Sequence, residues 1–385
     1  MSCLLSIVVP IKGSYEYVKS IIRKIESIDS YEIEIVIQDN SERNEGIIEF
    51  LSHSPCKKSK YFHRSSKMTM TENFELGIAN SCGEYLCILG ADDNVSSKIL
   101  DVAKYLMRNN IESAIFRKAS YNWPGMKFRA HKHRPNLTIH KTTGDIKRID
   151  VEKELEYVKK IGAVSLARLP EPYHGIIRRK SLDRVHERTG RYIPGACPDM
   201  AMAVALSQVV KNHIMIDAPI TISGHSYSSA GGKGARGEHK GSLKDKTFLP
   251  RNIEETWPSA IPKIWTGPTI YVDSLSSALK AFGKQEDFAE LNIEANYATI
   301  SLFFPEYRNL VKEYMKTKDI NMTRFYYEFV RKFAKRASVF VKNWAVSQLG
   351  ISLDKVFYNI QNSLEASKIV DDYIMSRLAN APYIQ

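Results

Sequence analysis

Glycine and proline are sparse in this chain of 385 residues, and cysteine is sparser, with 20, 15 and 5 copies. So few glycines and prolines exclude a collagen-like or low-complexity chain, and 43% hydrophobic with 25% charged residues is ordinary globular composition. The odd cysteine count, without a CxxC pair, argues against a disulfide framework or a zinc site. It predicts buried thiols in a reducing cytosol.

Long apolar runs are also missing from the sequence. No stretch approaches the ~18 apolar residues of a membrane-spanning helix. The apolar start, residues 1–10, has no basic leader or A-x-A-like cleavage site, and Pro10 interrupts it. It therefore predicts a first core strand and not a signal peptide.

Positive charge is in excess, with a formal net charge of +12 that lies mainly in the first 250 residues. Such an excess attracts phosphates, whether of nucleic acid, anionic lipid or a phosphorylated small molecule, and charge does not choose among them. The basic run 127–134, with Trp123 and Phe128 nearby, fits a site for a phosphorylated acceptor and a solvated loop equally well.

The first 110 residues alternate between strand and helix patterns. Strands are predicted at 4–11, 32–38, 60–63 and 84–90, and helices at 15–28, 46–52, 70–80 and 97–109. This order predicts an α/β fold with a mainly parallel, Rossmann-like central sheet flanked by helices. In such folds the functional groups gather at the carboxyl ends of the strands.

The pattern loosens from 117 to 163 and then resumes. A strand is predicted at 173–179, helices from 181 and at 200–210, a last strand at 214–223 and a mobile glycine-rich loop at 225–237. The remainder reads as helical. We therefore predict an α/β domain over residues 1–250 and an α-helical C-terminal region over 251–385.

Carboxylates stand at two predicted strand ends. Asp92 and Asp93 follow the strand 84–90, and because adjacent buried carboxylates repel each other, a cation would relieve them. Hard divalent ions prefer such carboxylates together with substrate phosphates, so a metal–diphosphate site is predicted, with a helix N-cap as the alternative. Asp39 ends the neighbouring strand, where it either closes a local turn or accepts hydrogen bonds from a base or ribose.

Three segments together resemble the family-two glycosyltransferases of GT-A fold: SIVVPI at 6–11, VIQDNS at 36–41 and LGADDN at 89–94. The resemblance covers about residues 4–235. It implies a metal-dependent, inverting enzyme that moves one sugar from a UDP-sugar to a hydroxyl of a glycan or lipid-linked acceptor. The setting it implies is bacterial surface polysaccharide synthesis, of O-antigen or capsule, in the cytoplasm or at the inner face of its membrane.

The resemblance also implies roles for the strand-end residues. Asp39 would help to hold the nucleotide, commonly through uracil, with Pro10 at the same edge. Asp93 would bind Mn²⁺ or Mg²⁺, and Asp92 would face the ribose or sugar. The first aspartate of a strict D-x-D motif is missing, since Ala91 precedes the pair.

The family places its catalytic base at the start of the helix predicted at 200–210, usually within an acidic pair. Pro198 replaces the first acid here and leaves Asp199 to take the proton from the acceptor hydroxyl. A plain helix cap is the alternative for Asp199. His174 and Gly175 resemble the acceptor-side segment and are expected to line the sugar pocket.

The glycine-rich loop is suited to the leaving group. Lys233 and Arg236 could close over the diphosphate and stabilise its developing charge. His225 at the start of the loop would complete the metal shell, or else it is an ordinary surface histidine.

The C-terminal region contains one apolar stripe flanked by cations. Its members are Tyr326, Phe329, Phe333, Ala337, Phe340 and Trp344. The stripe predicts a helix that packs on its neighbours or on a second subunit, or a basic amphipathic helix on the inner membrane surface.

Two rival functions fit the sequence less well, and a third stays open. A nucleotidyltransferase should have a glycine-rich phosphate loop after the first strand, and none follows Pro10. A nucleic-acid-binding protein would explain the charge, but no stacking platform or groove-reading helix is evident, so we expect no nucleic-acid partner. A non-catalytic sugar-binding relative stays open because of Pro198.

Overall fold

The structure is a computed structural model that describes residues 3–53, 57–128, 131–132, 134–318, 320–348 and 354–384. Most side chains of the basic run 127–134 and all of Cys56 lie outside the described part, so the predictions on them are not tested. The strands, numbered in chain order, are β1 (Leu5–Ile11), β2 (Ile33–Asp39), β3 (Ser59–His63), β4 (Tyr85–Ile88), β5 (Asn94–Val95), β6 (Ser113–Phe116), β7 (Ala119–Asn122), β8 (Lys127–Phe128), β9 (His131–Lys132), β10 (Asn136–Ile139), β11 (Ile146–Ile149), β12 (Ile176–Arg178), β13 (His213–Ile216), β14 (Thr221–His225), β15 (Gly241–Ser242), β16 (Ile264–Trp265) and β17 (Lys355–Tyr358).

Helices alternate with the first strands, as predicted. They are α1 (Tyr15–Glu26), α2 (Glu45–His53), α3 (Met70–Ala79), α4 (Ile99–Arg108), α5 (Val151–Lys160), α6 (Arg179–Thr189), α7 (Pro198–Ser207), α8 (Ala230–Ala235), α9 (Ile253–Thr256), α10 (Gly267–Ala281), α11 (Ile293–Phe303), α12 (Arg308–Thr317), α13 (Met322–Gln348) and α14 (Ser363–Leu378), with 3₁₀ turns at Gln285–Glu290 and Pro305–Tyr307. The α/β class is confirmed.

The central sheet has eight strands in the order β11-β13-β6-β12-β4-β1-β2-β3. Strands β4, β1, β2 and β3 run parallel, and β6 is parallel to β13. Strand β12 is antiparallel to both of its neighbours, and β11 is antiparallel to β13, so the sheet is mixed. Alternate residues of β1 belong to different core clusters on the two faces of the sheet, which is why β1 reads as a continuous apolar run.

A second sheet, in the order β17-β10-β7-β14-β5, lies beside the first. The single strand predicted at 214–223 is therefore wrong, because β13 and β14 belong to different sheets. Pro219 stands between them, and since it has no N–H to donate, it cannot continue a strand ladder. The chain turns there, with backbone hydrogen bonds between residues two positions apart, from Ala218 N to Ile216 O and from Ile220 N to Ala218 O.

Two further local expectations need correction. The loop predicted at 225–237 contains the short helix α8, whose N-terminus is capped by the hydroxyl of Ser229 accepting from Gly232 N. Cys87 and Cys197 are buried as expected, but Cys82 is exposed and Cys3 is half-buried, so the prediction of buried thiols is wrong for Cys82.

Among the described residues after 250, β16 and β17 are the strands and the other elements are helices. The last of these elements pack against elements that precede residue 250. Strand β17 pairs with β10, and α14 packs against α1. The buried ammonium of Lys24 on α1 forms an ion pair with Asp371 on α14. Helix α10 lies along α7. The division at residue 250 stays a prediction, with extensive packing across it.

Candidate active site

The site lies where the parallel strands β1, β2 and β4 end and the chain continues into the turn 89–93. Three later segments meet this edge: residues 171–175 before β12, the start of α7 and the end of β14. Backbone bonds fix two of these meetings, from His174 N to Ile88 O and from Ile88 N to Pro172 O, both within 3.0 Å. The predicted site residues Asp92, Asp93 and His174 are thus brought together.

Asp93 is buried, only 1% exposed, and its carboxylate joins several segments of the chain. Its Oδ2 accepts from Gly90 N at 2.7 Å and from the Tyr173 hydroxyl at 3.0 Å, while its Oδ1 accepts from Gly224 N at 2.7 Å. Nε2 of His174 lies 3.2 Å from Oδ2. Burial alone would raise the pKa of Asp93, but His174 and the two backbone N–H groups outweigh it and hold the pKa below its ordinary value.

The pKa of Asp92 is shifted in the opposite direction to that of Asp93. Its Oδ2 accepts from Ser226 N at 2.9 Å, and its backbone oxygen accepts from the Trp123 indole at 2.9 Å. Burial, with a smaller contribution from the charge of Asp93, raises the pKa of Asp92 to about 6. Neither aspartate is the N-cap of the following helix α4, which is Lys98, so the capping alternative is wrong for both.

His225 is held beside the two aspartates by its own neighbours in the chain. Gly224 N donates to Asp93 and Ser226 N donates to Asp92, so the end of β14 is attached on both sides of His225. Burial lowers the pKa of His225 and favours the neutral imidazole. A Cβ on Gly224 would lie 1.8 Å from the backbone oxygen of Asp92, so only glycine permits this approach.

Asp39 lies at the end of β2 but is fully buried. Its Oδ1 accepts from the N–H and hydroxyl of Ser41, and its Oδ2 accepts from the hydroxyls of Tyr15 and Tyr61 at 2.8 Å each. The local turn left open as an alternative is therefore present. Direct contact of Asp39 with a nucleotide would require one of these donors to give way, and its nucleotide-binding role stays a prediction.

His174 is 3% exposed and adopts a left-handed backbone conformation, with φ of 64°. Neither of its ring nitrogens makes a hydrogen bond to a described residue, although one faces Asp93. Gly175 is required by packing, because a Cβ there would lie 2.1 Å from the backbone oxygen of Glu171. Strain and an unsatisfied buried imidazole often mark functional positions, so both observations agree with a site on this segment.

Asp199 stands at the second position of α7, after Pro198, and Cys197 is the N-cap, so the capping alternative is wrong. Burial raises the pKa of Asp199, and the charge of Asp93 adds to this. A second acid, Glu171, lies within reach of its charge. Burial raises the pKa of Glu171, the charge of Asp199 raises it further, and Lys118 Nζ lies 3.7 Å from its Oε1.

Sequence reasoning missed Glu171, Tyr173 and Tyr271. Tyr271 belongs to α10, and its pKa is raised by burial and by the charge of Asp199, so the C-terminal region reaches the site. The available signal for Glu171 was its place between Pro170 and Pro172, which restrict the backbone just before His174.

The two cations predicted in the glycine-rich segment have different surroundings. Lys233 on α8 is exposed. The guanidinium of Arg236 forms a two-point ion pair with Glu238 at 2.9 and 2.6 Å and lies 3.9 Å over the ring of Tyr227. Pro10 is half-buried in β1, at the same sheet edge as Asp39. The diphosphate and nucleotide roles of these residues stay predictions.

This arrangement, with acidic turns at the ends of parallel strands and an acid at the start of α7, is that of the GT-A fold. Residues 6–163 match the family model described as Glycosyl transferase family 2. The match confirms the resemblance drawn from the three strand-end segments. Among curated protein sequences, none matches this chain.

Solved structures of low sequence identity are similar to the chain in fold. TarS residues 1–349 from S. aureus is 11% identical, with a TM-score of 0.46, over 82% of this chain and 92% of that one. The same fragment in complex with UDP-GlcNAc is 11% identical, with a TM-score of 0.47, over 81% and 89%. So distant a likeness says nothing about the substrate of this chain. Across the described residues, no helix is both long and apolar enough to cross a bilayer.

Proposed function

We propose that this glycosyltransferase is metal-dependent and inverting, and that it moves a sugar from a UDP-sugar to a hydroxyl of a glycan or lipid-linked acceptor in bacterial surface polysaccharide synthesis. The observation that carries the proposal is the double attachment of β14 to the aspartate turn, through Gly224 N to Asp93 and Ser226 N to Asp92. These two hydrogen bonds bring the backbone of His225 next to the two aspartates, at the sheet edge where the family binds its donor.

The donor types suit a divalent cation, but among the described residues the ligand atoms of Asp92, Asp93 and His225 do not all lie within 4.8 Å of one another, so they would have to move together to bind one. Burial, and to a smaller extent the charge of Asp93, makes ionisation of Asp92 costly and raises its pKa to about 6, and a cation would reduce that cost. His225 is favoured in its neutral form, which is the form that ligates metals. We propose that Asp93, His225 and the neighbouring Asp92 hold Mn²⁺ or Mg²⁺. When bound, the ion would neutralise charge on the departing diphosphate.

Asp199 is the proposed general base. Its raised pKa makes it a stronger proton acceptor than an exposed aspartate, and it stands at the helix start where the family places this group. It would take the proton of the acceptor hydroxyl as that oxygen attacks the anomeric carbon. The bond to the nucleoside diphosphate breaks in the same displacement, and the anomeric configuration inverts.

The remaining proposed roles concern donor binding. Asp39 would act mainly by orienting the hydroxyls of Tyr15 and Tyr61, since it already accepts from both. Lys233 would meet the diphosphate, and Arg236 would do so after leaving Glu238. His174 and Gly175 would shape the sugar pocket. The proposed location is the cytoplasm, including the inner face of its membrane.

Calorimetric titration tests the proposal with UDP, GDP and dTDP, each with Mn²⁺ and with EDTA. We expect UDP to bind only with metal, Asp93→Ala to lose that binding, and Asp199→Asn to keep UDP affinity while losing sugar transfer. Asp29→Asn, at an exposed aspartate outside the site, is the matched control and should behave as wild type. Absence of any metal-dependent nucleotide binding by the wild type would refute the enzyme as proposed. Nucleotide binding without transfer would favour the non-catalytic relative.

A further inference from the structure

Helix α13 exposes an apolar face along most of its length. Residues one, four and seven positions apart on this face include large side chains that remain open to solvent: Tyr326, Val330, Phe333, Phe340, Val341 and Trp344. Phe340 is 73% exposed and Trp344 is 60% exposed. Contiguous exposed aromatic surface of this kind is rare on a globular protein and marks an interaction surface. We call these six residues the α13 face.

The α13 face is separate from the surface by which the helix is attached. Helix α13 packs on α11 through its first turns, where Phe325 and Glu328 are buried. Phe329 is half-buried, and every residue from Phe333 to Lys342 is exposed. The alternative in which the stripe packs on neighbouring helices is therefore wrong for Tyr326, Phe333, Ala337 and Phe340.

Charge distinguishes among the partners that could cover this face. The helix has six Lys and Arg residues and one acid, Glu328, which is buried and pairs with Arg331 at 2.6 Å. Beyond Phe333 the helix contains Lys335, Arg336 and Lys342 and no carboxylate. A second copy would bring the same cations against one another, which disfavours self-association. An anionic surface satisfies the apolar and the cationic groups together.

We propose that the α13 face lies in the interface of an anionic lipid bilayer, with its aromatic side chains among the headgroups and upper acyl chains. Amphipathic helices that bind membranes in this way combine Lys and Arg on one face with Trp and Phe on the other. Tyrosine and tryptophan favour the headgroup level because they have an apolar ring and a polar tip. Lysine and arginine side chains are long enough to reach lipid phosphates from the sides of the helix. The proposal does not depend on the catalytic assignment.

Trp344 provides a direct readout on the full-length chain. The other three tryptophans, Trp123, Trp257 and Trp265, are at most 5% exposed, so a change in intrinsic fluorescence on vesicle addition reports mainly on Trp344. We expect a blue shift and co-sedimentation with phosphatidylcholine vesicles that contain phosphatidylglycerol, and much weaker binding to phosphatidylcholine alone. Added salt should weaken the binding. Trp344→Phe should co-sediment but lose the spectral shift.

Two variants separate the apolar and the cationic contributions. Phe333→Ser with Phe340→Ser should weaken vesicle binding more than about tenfold, because two aromatic rings no longer leave water. Lys335→Gln with Lys342→Gln should weaken it by roughly fivefold per cation removed.

Tyr31→Ser with Tyr157→Ser removes two exposed aromatic side chains outside α13 and should bind vesicles as wild type does. Urea unfolding of each variant verifies that the fold is kept. The proposal is overturned if wild type does not bind anionic vesicles at low salt, or if the serine variant of the α13 face binds equally well. It is also overturned if wild type is a dimer that this variant dissociates without lipid, because the face then belongs to a second copy. Metal-dependent UDP binding is measured separately, so failure of one proposal leaves the other standing.

Discussion

Asp273 is a buried acid without a partner, and this gives a test of the structure away from the site. It lies on α10, is 1% exposed, and neither carboxylate oxygen accepts a hydrogen bond from a described residue. Burial raises the pKa of Asp273 to about 7. Asp273→Asn keeps the shape of the side chain and removes its ability to ionise, so the variant isolates the cost of that buried charge.

The direction in which stability changes with pH follows from proton linkage. An aspartate with a pKa near 7 when folded and near 3.8 when unfolded holds its proton longer in the folded protein. Stability is therefore greatest at low pH for this group and is lost as the pH rises from about 4 through about 7. The full loss is about 4 kcal/mol, of which roughly 2.5 kcal/mol falls between pH 5 and pH 8.

Urea unfolding of wild type and Asp273→Asn at pH 5 and pH 8 measures this loss. The free energy of unfolding of the variant relative to wild type should rise by roughly 2.5 kcal/mol between the two pH values. Asp92, whose pKa is also raised, contributes equally to both proteins and cancels in the difference. Asp29→Asn, at an exposed acid, is the control and should leave the pH dependence of unfolding unchanged. Parallel pH dependence of wild type and Asp273→Asn would refute the buried, unpaired carboxylate.

Two further substitutions test how separate parts of the chain are joined. Gly224→Ala should abolish metal-dependent UDP binding while circular dichroism stays native, because the new Cβ would meet the Asp92 backbone oxygen; Gly234→Ala, whose Cβ would meet nothing within 4 Å, should bind normally. Asp371→Ala should destabilise the protein by about 3–5 kcal/mol in urea, because it leaves the buried ammonium of Lys24 without this partner. A wild-type unfolding curve for that variant would show that the pair does not anchor α14.

The parts of the fold that the sequence predicted are those with a strong local pattern. Strands β1 and β2 are buried on both faces, and α1 places its apolar residues on one side, so each has a period that can be recognised without its partners. Helix α5 was missed because only Val151, Leu155 and Val158 mark its buried face among many charged residues. The break between β13 and β14 was readable at Pro219 but was not predicted.

Pairings between distant segments could not be predicted. Strand β17 joins β10 across more than two hundred residues, and both are four residues long. Short strands bury little apolar area of their own, so their position depends on the sheet they complete and leaves no periodic signal. The same reason hides Tyr271, which enters the site from α10 only because α10 packs along α7.

The motif predicted that Asp92 and Asp93 belong to the site, but it could not predict how the two carboxylates differ. They are adjacent and chemically identical, yet one pKa is raised and the other is lowered. Burial would raise both pKa values, but around Asp93 it is outweighed by His174 and by the backbone N–H groups of Gly224 and Gly90, which come from three separate segments. Asp93 thus holds the turn, residue 173 and β14 together in addition to its proposed role as a metal ligand, and the proposed cation would chiefly relieve the charge of Asp92, which has fewer donors. The ability of this turn to attract a metal therefore depends on residues eighty or more positions away in the chain.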